Sequence, residues 1–199
     1  MVGVAGSALA AGAGLAASGC SGSTRPAPAA FGYAGEARTI ALVVALENQL
    51  AWLYRAALAT PRQGLIGASA PAFASLARTC LAQHVEHARA WNAILHAQGK
   101  PILSGAPLSG QPALVTAIRS ADTVPAIAGL ALGCEHQIAQ TYVAAIGQLT
   151  STAGLATAAS IAPVEAMHAT LLRFMLGENP VPSAFAGTAG AAGPGELTR

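Results

Sequence analysis

Six side chains of this 199-residue chain have the types and spacings of metal ligands: Glu47, His84, His87, Glu135, Glu165 and His168. His84 and His87 are three apart, as are Glu165 and His168, so each pair leaves one face of a helix. Glu47 and Glu135 each stand inside an apolar run. A carboxylate buried without a partner is expensive, so a chain that sets several on core faces needs a neutralising group. A metal ion meets that need, and mixed carboxylate and imidazole donors suit transition metals. The chain has only eight acidic residues, and three of them occupy apolar faces, which a solvated surface would not favour.

An internal repeat orders these residues. The run LENQLAWLYRAAL, from Leu46 to Leu58, matches CEHQIAQTYVAAI, from Cys134 to Ile146. Glu47 aligns with Glu135, Gln49 with Gln137 and Tyr54 with Tyr142. HVEHA, from His84, matches EAMHA, from Glu165, so that His84 aligns with Glu165 and His87 with His168.

Four long helices must position them. The 3.6-residue apolar pattern runs from Gly35 to Ala59, Ser69 to Gln98, Asp122 to Leu149 and Ser151 to Leu176. Thr60-Pro61 stops the first. Ser69 is a cap for the second, Pro71 fits its first turn, and Gly99 with Pro101 ends it. Pro125 sits near the start of the third, where proline is tolerated, and Gly177 and Pro180 close the fourth. Pro163, inside the fourth, removes a backbone hydrogen bond two residues before Glu165 and predicts a bend there. The first and last connections are short, so those neighbours run antiparallel. The middle one, about 99–121, contains Pro107, Gly110 and Pro112, with a short helix expected from Pro112 to Arg119. Together these features predict an all-α four-helix bundle over residues 36–185, two antiparallel hairpins joined by a long crossover, with 186–199 as a disordered tail. Val43, Glu47, Leu50 and Tyr54 share one face, and Ala131, Glu135, Ile138 and Tyr142 repeat it.

This order of Glu, His-x-x-His, Glu and Glu-x-x-His resembles the ferritin-like superfamily. That family's two-metal site takes a Glu from each of two helices and Glu-x-x-His from each of the other two. The run VEAMHATLLRFMLGENPVPSAF, from Val164 to Phe185, also resembles the last helix of secreted bacterial ferritin-like proteins. The resemblance implies a bundle binding one or two transition-metal ions, iron first, with Zn, Cu or Mn as alternatives. An iron-handling or oxidoreductase role follows by family analogy only. His84 departs from the pattern: where the family has a glutamate, a bridging carboxylate is exchanged for an imidazole. Glu86 cannot replace it, being rotated about 200° around the helix. Apart from the resemblance, the same residues admit a metal-free reading. In it, His87 and His168 bond to Glu47 and Glu135, and the bundle is an envelope binding or structural module.

Other residues have plainer roles. Tyr54 and Tyr142 lie about 10 Å along the axis from the glutamate of their own helix and are expected in the core, bonded to neighbours. Trp52 and Trp91 are packing residues, His96 and His136 face solvent, and Arg173 makes an ion pair at the bundle end. Cys80 and Cys134 are either buried free thiols or a pair.

Residues 1–20 form a short apolar run of small residues ending in Ala-Ser-Gly-Cys, which resembles a lipobox with Cys20 as the lipidated residue. No Arg or Lys precedes the run. Residues 21–35, rich in Ser, Pro and Ala, read as a flexible linker. The expected location is therefore outside the cytoplasm, at the cell envelope, with the membrane reached through the anchor. Net charge is +2 and Lys100 is the only lysine, so the basic footprint of a nucleic-acid binder is missing. A homodimer is left open.

Overall fold

The structure, a computed structural model, describes residues 32–59 and 70–198. The signal-like segment, Cys20, most of the proposed linker, Thr60-Pro61 and Ser69 lie outside the described residues. Helices α1 (Glu36–Ala59), α2 (Ala70–Ala97), α3 (Gln111–Ser120), α4 (Val124–Ile146) and α5 (Thr152–Met175) follow in order. The four long helices match the sequence reading to within a few residues, and α3 is the short helix of the crossover. The fold is an all-α bundle in which α1 pairs with α2, α4 pairs with α5, and α1 meets α4 as α2 meets α5.

α1 is the hub. Its run Ile40–Leu46 is buried on every side, as expected of a helix apolar all round. α5 is long and apolar enough to cross a membrane by length and composition, yet it carries Glu165 and His168 buried into the bundle. It runs through Pro163 as one helix, with that residue on the exposed side.

The ends are set by capping. Thr123 accepts from the Ala126 N–H at 3.2 Å, and Ser151 accepts from the Gly154 N–H at 3.0 Å. Glu36 accepts from the Ser151 N–H at 3.1 Å and from the Thr150 hydroxyl at 3.0 Å, tying the start of α1 to the α4–α5 turn. Gly99 and Gly177, with φ of 67° and 75°, take the left-handed conformation that ends α2 and α5. Two asparagines hold the crossover: Asn92 exchanges hydrogen bonds with Leu103 (2.9 and 2.8 Å), and Asn48 donates to the Gly105 carbonyl at 2.9 Å.

Two expectations need correction. Tyr33, placed in the flexible linker, is buried and donates to the Pro101 carbonyl at 2.7 Å. The tail is ordered through residue 198 and folds back over the bundle. The Gly190 N–H donates to Gln140 at 2.7 Å, and the Ala192 N–H to Thr141 at 2.9 Å. Arg38 donates to the Pro194 carbonyl, and Leu197 forms an antiparallel bridge with Leu108. Buried Ala192 and Leu197 supply the apolar contact. A segment reading as Gly-Ala filler thus gains order because its backbone groups find partners.

Candidate metal centre

All six predicted ligands meet in the interior. Glu47 comes from α1, His84 and His87 from α2, Glu135 from α4, and Glu165 and His168 from α5. Glu47, His84, Glu135 and Glu165 are wholly buried, and His168 nearly so. His87 is the most open, with 13% of its side chain exposed. Two four-residue groups have ligand atoms within 4.8 Å of one another: Glu47, His84, His87 and Glu165, and then His84, Glu135, Glu165 and His168. His84 and Glu165 belong to both.

The contacts are close. His84 Nδ1 lies 2.7 Å from Glu47 Oε2, and its Nε2 lies 3.0 Å from Glu135 Oε1. His87 Nδ1 is 2.7 Å from Glu165 Oε1, and His168 Nδ1 is 3.4 Å from both Glu135 Oε1 and Glu165 Oε2. Yet His87 Nδ1, His168 Nδ1, Glu135 Oε2 and both Glu165 oxygens are buried without a directed hydrogen bond. Buried polar atoms are nearly always hydrogen-bonded. Five atoms that face one another without well-directed hydrogen bonds, all of ligand type, are what a cation would satisfy, so the residues present fit a metal.

Electrostatics tighten the cluster. Burial opposes ionisation of Glu47 and Glu135, but the neighbouring imidazoles outweigh it and hold both carboxyls below the usual range. Glu165 is pushed up, by burial and by the charge of Glu47. Burial works against protonation of the histidines, yet the facing carboxylates win at His84 and His87, and Cys80 together with Glu135 and Glu165 wins at His168. His84 lies well above the ordinary imidazole value, His87 is raised to about 9, and His168 to about 12.

Four further side chains complete the site and were not legible as part of it. The Tyr54 hydroxyl donates to Glu135 Oε1 at 2.6 Å, and the Tyr142 hydroxyl donates to Glu47 Oε1. Each repeat's tyrosine thus serves the other repeat's glutamate. Burial and the facing carboxylates push both phenols well above their usual range, so they remain donors. The Trp91 indole N–H donates to Tyr142 at 2.7 Å. Gln83 Oε1 accepts from His168 Nε2 at 2.6 Å, which keeps a proton on Nε2 and turns Nδ1 toward the centre. The signal for the tyrosines was in the repeat. Both stand seven residues after their glutamate on helices that run antiparallel, so each lies across from the other's acid.

The remaining residues have simple places. His96, His136 and Glu86 are exposed, with Glu86 paired to Arg89. Arg173 pairs with Glu178 at 2.9 Å. Cys80 and Cys134 are free thiols, and burial beside Glu135 pushes the Cys134 thiol up to about 12.

Comparison with known proteins agrees with the geometry. No curated protein and no solved structure matches the chain. Residues 35–178 match the sequence model of the ferritin-like domain, a span that holds all four long helices and all six clustered residues. The chain belongs to the ferritin-like domain family.

Proposed function

We propose that this protein is an exported, lipid-anchored ferritin-like protein whose core binds one or two transition-metal ions. Glu47, Glu135, Glu165, His84, His87 and His168 would hold them. The observation that carries this reading is the convergence of carboxylate oxygens and imidazole nitrogens in a dry interior, five of them without a well-directed hydrogen bond. A metal bound there supplies Lewis acidity and, if it is iron, electron transfer. The iron-handling or redox role rests on family analogy alone. The chain's own residues do the rest. Gln83 orients His168, the two tyrosines orient Glu135 and Glu47, and the surrounding apolar helices exclude water. Export and anchoring are supported by the apolar start and the small residues before Cys20.

A second reading draws on one specific observation. His84 already hydrogen-bonds a carboxylate with each ring nitrogen, and three imidazoles facing three carboxylates can balance charge without a cation. In that case the bundle is a metal-free envelope module. Elemental analysis of the purified protein separates the two. The metal reading expects about one or two bound ions and a melting temperature that drops with chelator. A metal-free protein indifferent to chelator sinks it. For the anchor, Cys20→Ser is expected to move the protein out of the membrane fraction, and an unchanged distribution contradicts lipidation.

A further inference from the structure

His84 is the residue at which this chain departs from the four-carboxylate pattern, and it sits at the middle of the centre. Its ring meets those of both His87 and His168 edge-on, with centroids 5.9 and 5.2 Å away. Tyr54 stacks on it at 5.7 Å and 15°, fixing its plane. The two nitrogens look in different directions. Nδ1 faces Glu47 at 2.7 Å and Glu165 at 3.8 Å, whereas Nε2 faces Glu135 at 3.0 Å. Both four-residue ligand groups include His84. A glutamate there would offer two oxygens on one carbon, directed to the same side. An imidazole offers two donors on opposite edges of a rigid ring.

We propose that His84 is a bridging ligand, each ring nitrogen serving one of two ions, with Glu165 as the carboxylate common to both. The inference rests on the reading of the cluster as a metal centre. With a carboxylate at each nitrogen the ring carries two N–H groups, and one proton leaves to buffer as the first ion binds. The first ion takes the lone pair so freed. The second metal–nitrogen bond forms as the remaining N–H bond breaks, its electron pair goes to the metal, and that proton also leaves to buffer. The ions are then joined by a conjugated ring, which couples unpaired electrons on the two sides.

Copper(II) is a direct probe. The full-length protein is loaded with excess Cu(II), desalted, analysed for copper per chain and examined by electron paramagnetic resonance. The expected result is two coppers per chain with loss of most of the mononuclear signal through coupling. His84→Gln is expected to lose the second ion and to restore an isolated mononuclear signal. Circular dichroism checks that this variant is folded; if it is not, the wild-type spectrum decides alone. Two uncoupled coppers, or one copper per chain, overturns the bridge and leaves the metal centre standing. No bound copper overturns the metal centre itself.

Discussion

At the scale of single residues, Glu135 has the most to lose. It accepts hydrogen bonds from Tyr54 and His84 and faces His168. Glu135→Ala is expected to abolish metal uptake while helical content, read by circular dichroism, persists. It should also lower stability by about 1–3 kcal/mol, because His84 Nε2 and the Tyr54 hydroxyl lose the buried acceptor they share. The tyrosines allow a finer test. Tyr54→Phe removes one hydrogen bond and should cost about 1 kcal/mol in urea unfolding. Tyr142→Phe should cost more, about 1–3 kcal/mol, since it also strands the Trp91 indole N–H. Equal losses would mean that Trp91 finds another partner. The six clustered residues were legible because acids and imidazoles at helical spacing within apolar runs must meet a compensating group once the helices pack. The tyrosines were not, because their distance was measured along their own helix. The contact that matters runs between helices, from Tyr54 to Glu135 and from Tyr142 to Glu47.

Among the elements, the four long helices could be read from apolar period and from punctuation. Gly99 and Gly177 stop α2 and α5 with positive φ, as glycine after a helix should. The tail could not be read that way. Its order depends on pairings 50 residues or more distant, such as Ala192 with Thr141 and Arg38 with Pro194, and composition carries no trace of these. Leu197, buried beside Leu108, is its apolar anchor. Leu197→Ala should cost about 2 kcal/mol, lowering the melting temperature by about 4–8 °C, with metal content unchanged. A melting temperature that does not move would show the tail to be dispensable for stability. The anchoring of the crossover by Asn48 and Asn92 was likewise silent in the sequence, since a polar residue on a helix carries no mark of which distant carbonyl it will meet.

For the whole molecule, the charge of the cluster links protonation to the fold and, on the metal reading, to the ion. His87 is raised to about 9, and its ordinary value in an unfolded chain is about 6.5. In the metal-free protein its ion pairs therefore contribute stability that is complete below about pH 6.5 and fades as pH rises through about 9. Metal binding has the opposite sign, because each ligand imidazole must first give up its proton. Apparent affinity should rise between pH 7 and 9, measured by competition with a chelator of known affinity. Affinity flat over that range would remove His87 from the ligand set. The central claim is that carboxylates and imidazoles from four helices share a cation in the bundle core. Anomalous X-ray diffraction from crystals of the metal-loaded protein, collected on either side of the metal's absorption edge, tests it most directly. The predicted result is one or two anomalous peaks within bonding distance of Glu165 and His84. A core without a peak, its six side chains bonded only to one another, would contradict it.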